Sequence, residues 1–197
     1  MPKKEVKSKT KVVGLDLSLT STGIVELDGE ANILEQYVVR SSPVGPLQID
    51  EAKRLSKITD EILAGIPLET ELVAIEGIAF MMSKTTALVQ LAAINYIVRI
   101  GLWKKGIPFV IVSPPTLKKF VTGKGVAQKD IMMLETYKRW GVSLTDNNIC
   151  DAYGLARISL AILDRDDTLV NEQREVVTLL KKQTPWLGSL DKTFLEG

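Results

Sequence analysis

Three acidic positions and one lysine-rich run stand out because their surroundings are wrong for ordinary surface charges. Asp16 ends the apolar, β-branched run Val12-Val13-Gly14-Leu15, and a short polar segment, Ser18-Leu19-Thr20-Ser21-Thr22-Gly23, separates it from a second apolar run, Ile24 to Leu27. This is the pattern of two neighbouring strands joined by a tight connection of Ser, Thr and Gly. A lone Asp inside such a strand is costly to bury without a partner. A bound metal ion is the natural one, and the alternative is that Asp16 caps the turn at Ser18 to Thr22. Glu76 repeats the anomaly in Ala74-Ile75-Glu76-Gly77-Ile78, as a metal ligand or as a paired structural acid.

The third acidic stretch is Asp146-Asn147-Asn148-Ile149-Cys150-Asp151-Ala152. Asn148 and Asp151 are three residues apart and fall on one face of a helix. Asp146 and Asn148 are alternatively N-cap residues and nothing more. The basic run is Lys118-Lys119-Phe120-Val121-Thr122-Gly123-Lys124-Gly125-Val126-Ala127-Gln128-Lys129, with no acid between Ser113 and Lys129. Its lysines offer charge to phosphates, and Gly123 and Gly125 let the backbone approach another chain closely. A solvated loop is the alternative.

The totals narrow the chemistry. The chain has 197 residues, 45% of them hydrophobic, which suits one compact α/β domain with at most an appendage. With no His and a single Cys, His-based general bases, Cys/His zinc sites and disulfide frameworks drop out together. Hydrolysis must then rest on carboxylates and hard metal ions. A formal net charge of +1 means that any nucleic-acid footprint lies in the distribution of charge. The segment from Thr85 to Trp103 is long and apolar but is interrupted by Gln90, Asn95 and Arg99, which argues against a membrane span. A soluble cytoplasmic protein, in the host cytoplasm if viral, is the expectation.

The elements that must position these residues follow from periodicity. Residues 1–11 read as a flexible basic arm. Strands are predicted over Lys11–Leu17, Gly23–Leu27 and Ile33–Arg40, with Asp28-Gly29 as a hairpin turn. Helical spacing runs from Leu47 to Ala64, and Gly65 and Pro67 end it. Glu71–Ile78 suits a central parallel strand, apolar on both faces. A helix from Ser83 to Trp103 is apolar almost all round, so one face needs a partner besides the sheet. Ile107–Val112 is a short strand that Ser113-Pro114-Pro115 breaks. Helices follow near Lys129–Trp140, Asn148–Leu163 and Asn171–Lys182. The predicted organisation is one α/β domain over 12–165 and a helical extension over 166–197.

Two families open with a similar stretch. Actin-like and sugar-kinase ATPases use Asp-x-Gly-x-Thr, but they need about twice a typical domain's ~100–150 residues. Gly14-Leu15-Asp16-Leu17-Ser18 followed by Thr22-Gly23 resembles more closely the opening of the RuvC-type Holliday junction resolvases. The basic run is similar to that family's Lys-x-x-Val-x-Gly-x-Gly-x-Ala-x-Lys, in register at Lys118, Gly123, Gly125, Ala127 and Lys129. Its Pro-Pro-Thr-Leu-Lys-Lys entry looks most like the bacteriophage branch.

The resemblance implies an α/β RNase H-like fold, a mixed five-stranded sheet with antiparallel first hairpins and flanking helices. It implies that Asp16, Glu76 and Asp151 hold two Mg²⁺ ions, with Mn²⁺ able to substitute, and that Lys118 and Lys129 place the phosphate or offset its growing charge. Lys119, Lys124, Gly123 and Gly125 would face DNA, and the loop after Glu76 would carry a wedge at Ala79 or Phe80. Where the family's last core helix begins Asp/His-x-x-Asp-Ala, this chain has Asn148, either a natural variant helped by Asp146 or an inactivating substitution. The implied activity is metal-dependent, symmetric nicking of four-way and related branched DNA by a homodimer, with no nucleotide cofactor. The alternatives are a junction-binding protein with little cleavage and, in another class, a small actin-like ATP-binding protein.

Overall fold

The computed structural model describes residues 10–78 and 86–185. Five strands, β1 (Lys11–Asp16), β2 (Ser21–Asp28), β3 (Ile33–Arg40), β4 (Leu72–Glu76) and β5 (Phe109–Val112), form one sheet in the order β3-β2-β1-β4-β5. The first three are antiparallel neighbours, whereas β4 runs parallel to both β1 and β5. Six helices complete the fold: α1 (Gln48–Ala64), α2 (Thr86–Lys104), α3 (Pro114–Thr122), α4 (Lys129–Trp140), α5 (Asn147–Ile162) and α6 (Asn171–Gln183).

Strand alternation sorts the side chains between two layers of helices. Val13, Leu15, Val73 and Ile75 point to one face, where Ile58 and Ile62 of α1 and Ile94, Val98 and Leu102 of α2 cover them. Val12, Leu72, Ala74, Val110 and Val112 point to the other, under α5 and its neighbours α3, α4 and α6. Helix α5 is the spine of this second layer: from Ile149 to Ile162 every residue except Asp151 is buried. A helix that is apolar all round must be enclosed on all sides, and this one is. By length and composition α2 would pass for a membrane span. Its Ile94, Asn95, Val98 and Leu102 are nevertheless buried in the domain, while Val89, Tyr96, Ile97, Ile100 and Trp103 are exposed.

Ser113-Pro114-Pro115 ends β5 as expected, and it also starts a helix that periodicity did not place: Ser113 caps α3 by accepting the Thr116 N–H, and the prolines occupy first-turn positions whose missing N–H groups would have had no helical partner. One local expectation needs correction. The hairpin after β2 is longer than Asp28-Gly29. The Asp28 carboxylate accepts the N–H groups of Glu30 and Asn32, and Ala31, not Gly29, takes the left-handed conformation.

Candidate active site

Asp16 and Glu76 are the residues immediately after Leu15 and Ile75, which pair across the parallel strands β1 and β4. Adjacent strands lie ~4.8 Å apart, so this register alone sets the two carboxylates side by side. Alternation turns both toward the α5 layer. Gly14 and Gly23 then decide how close α5 comes. A Cβ on Gly14 would lie 1.9 Å from the Ala152 carbonyl oxygen, and one on Gly23 would lie 2.2 Å from that of Asn148. The helix backbone therefore rests directly on β1 and β2, and its first turns, with Asn148 and Asp151, arrive at the Asp16 end of the strands.

The basic run is brought to the same place by α3 and α4. Gly154 of α5 leaves room for Val121 and Leu117, since a Cβ there would lie 2.8 and 2.9 Å from their side chains. Gly123, with φ +80, ends α3 in the left-handed conformation, and its N–H donates to the Lys119 carbonyl at 2.9 Å. Lys129 is the first residue of α4. Both Lys118 and Lys129 act electrostatically on the carboxylates, Lys118 on Glu76 and Asp151, Lys129 on Asp16 and Asp151.

Burial dominates the titration of all three acids. It pushes Glu76 up to about 9, with the Asp16 charge, the hydrogen bond to Asp16 and the Asp151 charge adding to it and Lys118 opposing. Asp151 is pushed up to about 7, by burial and then by Asp16, against the pull of Lys129 and Lys118. Asp16 is also raised by burial, and less so because it accepts the proton that Glu76 holds. With both acids raised and hydrogen-bonded to each other, the pair favours keeping one proton between them, a net charge of −1 in place of −2 where no cation balances it.

Such a donor set fits a hard divalent cation, which would replace the shared proton with positive charge. Among the described residues no three acids close on one common ion position. The carboxylates in contact are Asp16 and Glu76, with Asp151 close enough to be felt by both.

The rim of the site differs from the sequence expectation in several ways. Asp16 does not close the following turn. There the Ser18 hydroxyl accepts the N–H groups of Thr20 and Ser21, and the Thr22 hydroxyl accepts the Ser18 N–H. Asp146 is the N-cap of α5, its Oδ1 accepting from Asn148 N–H at 2.8 Å and Ile149 N–H at 3.4 Å, yet its charge still raises Asp16. Asn148 donates its side-chain amide to the Ser21 hydroxyl at 2.8 Å. Ser21 was missed because nothing in the sequence marks one serine among four small polar residues.

Lys119 pairs with Glu175 of α6 at 2.7 Å, whereas Lys118 acts on Glu76 and Asp151. Successive helix residues are ~100° apart, so Lys118 and Lys119 cannot share a face. Lys124 is exposed, and Gly125 has only ordinary contact room beside Pro115. Ala79, Phe80 and Ser83 lie outside the described residues, as does the arm before Thr10.

Residues 12–157 match the family described as crossover junction endodeoxyribonuclease RuvC. A curated protein of that description from Frankia casuarinae is 29% identical over 124 residues, spanning 60% of this chain and 69% of the relative. The solved structure of Thermus thermophilus RuvC superposes with a TM-score of 0.61 at 18% identity, covering 89% of this chain and 97% of the other. The same protein in complex with a Holliday junction substrate gives 0.61 at 20% identity, covering 75% of this chain and 90% of the other. These likenesses bear out the RNase H-like fold: mixed five-stranded sheet, antiparallel first hairpins, flanking helices.

Proposed function

The chain belongs to the RuvC family of crossover junction endodeoxyribonucleases, divalent-metal-dependent enzymes that resolve branched DNA, and from that premise we propose how its own residues divide the work. Asp16, Glu76 and Asp151 hold the metal, with two Mg²⁺ ions as the occupants and Mn²⁺ as a substitute. When bound, the metal supplies an activated water and charge on the leaving oxygen. Lys118 and Lys129, within electrostatic reach of the acids, receive the scissile phosphate and offset the charge that grows on it. Asp146 caps α5 at the rim of the site. Gly123, Lys124 and Gly125 form the loop that meets the DNA backbone, and Phe80 is the candidate wedge at the crossover.

The observation that carries this is the register of β1 and β4, which sets Asp16 and Glu76 side by side within electrostatic reach of Asp151, Lys118 and Lys129. Asp16→Asn, Glu76→Gln and Asp151→Asn are each expected to abolish metal-dependent cleavage of a four-way junction while junction binding survives, because affinity rests on lysines and loops elsewhere. Full cleavage by any of the three would refute the assignment.

Asn148 favours a second reading, a junction binder that cuts slowly, because an amide brings no charge to the metal site. The ATP-binding alternative is set aside by the family match. Paired nicks need a two-fold dimer, and the exposed apolar stripe of α2 is its proposed face. Ile97→Arg, on that stripe, is expected to leave the fold intact and give a monomer by sedimentation. A parent chain that is monomeric on junction DNA would refute the dimer.

A further inference from the structure

Behind the turn that follows Asp16, at the β3 edge of the sheet beside α1, lies a pocket of about 380 Å³ with a basic wall. Arg40, Arg54 and Lys57 supply the charge, with Thr20 and Ser41 between them and Glu61 as the carboxylate in the wall. Arg54 and Lys57 are three residues apart on α1 and share a face. Arg54 is held in place: its Nη2 donates to the Leu19 carbonyl at 2.7 Å and its Nε to the Ser41 hydroxyl at 3.0 Å. The Ser41 hydroxyl in turn donates to the same carbonyl at 2.6 Å. All of these acceptors are neutral. Among the described residues none of the three cations forms an ion pair. A braced guanidinium with two further cations on one cavity is short of a counter-charge.

The sheet register locates this pocket relative to the acids. Asp16 pairs with Gly23, and Gly23 with Val38; Arg40 is two residues further along β3, opposite Ser21. Two inter-strand gaps and two residues of rise separate Arg40 from Asp16 by roughly 12 Å. Ser21, between them, is also the residue that holds Asn148. One DNA strand carries a charge every ~3.4 Å along its axis, so a strand lying across the acids has further phosphates within that distance.

We propose that this pocket is a second phosphate site, taking a backbone phosphate of the DNA arm that leads away from the cut, a few nucleotides from the scissile bond. The proposal rests on the reading of Asp16, Glu76 and Asp151 as the cutting site. The Arg54 guanidinium keeps N–H donors beyond the two that brace it, and Arg40 and Lys57 are exposed to an incoming strand. Its role is to set the direction of the arm, because phosphate contacts fix register and orientation without reading sequence.

The test uses the full chain and an Arg40→Ala/Lys57→Ala double variant, which leaves the Arg54 brace intact. Binding of a four-way junction is measured by fluorescence anisotropy across a salt series. Loss of one phosphate contact is expected to reduce the slope of log K against log salt by about 0.9. Neutral methylphosphonates are then placed one at a time, two to five nucleotides from the cut. One position should weaken parent binding several-fold and leave the variant indifferent. An unchanged slope overturns the proposal, and so does a variant as sensitive as the parent to every substitution. Tight binding of inorganic phosphate by the parent, lost in the variant without any change in DNA binding, assigns the pocket to the free ion and also overturns it. A parent that binds no junction at all overturns the proposal, whereas a parent that shows the position-specific effect but does not cut the junction in Mg²⁺ removes the reading of Asp16, Glu76 and Asp151 and leaves the phosphate site standing, so the two failures are distinguishable.

Discussion

Replacing Glu76 by Gln should make the metal-free protein more stable, and by an amount that depends on pH. Glu76 is pushed from 4.5 up to about 9 in the folded chain, first by burial and then by Asp16. A folded state that binds this proton more tightly than the unfolded chain loses stability as pH rises from about 4.5 toward 9. At pH 8 the interval from the unfolded value is 3.5 units, or a ceiling of about 5 kcal/mol at 1.36 kcal/mol per unit. Water reaching the mouth of the site relieves part of this, leaving ~2–3 kcal/mol, or roughly 5–10 °C in Tm for a chain of this size. Gln keeps the shape and the hydrogen bond to Asp16 but carries no charge. Thermal melts in EDTA from pH 5 to pH 9 should show parent and variant nearly level at pH 5 and diverging upward in favour of the variant. Saturating Mg²⁺ should reverse the order, since only the parent offers the full charge. A variant that is less stable than the parent at pH 8 in chelator, or a gap that does not change with pH, would refute the shared-proton account.

Asn148→Asp should raise single-turnover cleavage by at least about tenfold, ~1.4 kcal/mol of barrier, because it adds a charge beside Asp151 and can accept from Ser21 where the amide donates. Asp146→Asn is the companion variant: if that change is the damaging one and Asn148→Asp is silent, Asp146 supplies the charge instead. Gly14→Ala should unseat α5, since its methyl would fall 1.9 Å from a backbone oxygen, and circular dichroism melts should show a loss of ~3 kcal/mol or more together with lost cleavage. Asp166→Ala should cost ~3–5 kcal/mol in urea unfolding, because it leaves the buried Arg157, stacked over Trp140 at 4.8 Å, without its carboxylate. Burial pushes Asp166 up, but the Thr168 hydrogen bonds and the Arg157 charge hold it below its ordinary 3.8. Its contribution is therefore present at neutral pH and lost as pH falls through that lowered value, so the variant should lack this acid-dependent step.

The chain announced its chemistry locally. Asp16 and Glu76 are visible as charges at the ends of runs that should be wholly apolar, and Asp151 by its place three residues after Asn148 on one helix face, followed by Ala152. Lys118, Gly123 and Lys129 carry a spacing that survives without any knowledge of what they pack against. The order of strands and helices, α3 excepted, followed from the same short-range signals of period and turn chemistry, because pleat and helical pitch are set by a few neighbouring residues.

Everything that depends on a meeting of distant segments stayed hidden. Gly14 and Gly23 read as ordinary strand residues until the backbone of α5 lies on them. Asn148 and Ser21 are 127 positions apart, and neither carries a mark of the other. Lys119 looked equivalent to Lys118 until α6 brought Glu175 to one side of α3 only. Arg40, Arg54 and Lys57 were scattered cations until β3 and α1 were laid against the turn after Asp16. A residue's type fixes which interactions it can make, and burial beside a particular neighbour fixes which of them it does make. That neighbour is chosen by the crossing of elements far apart along the chain, which only the folded molecule determines.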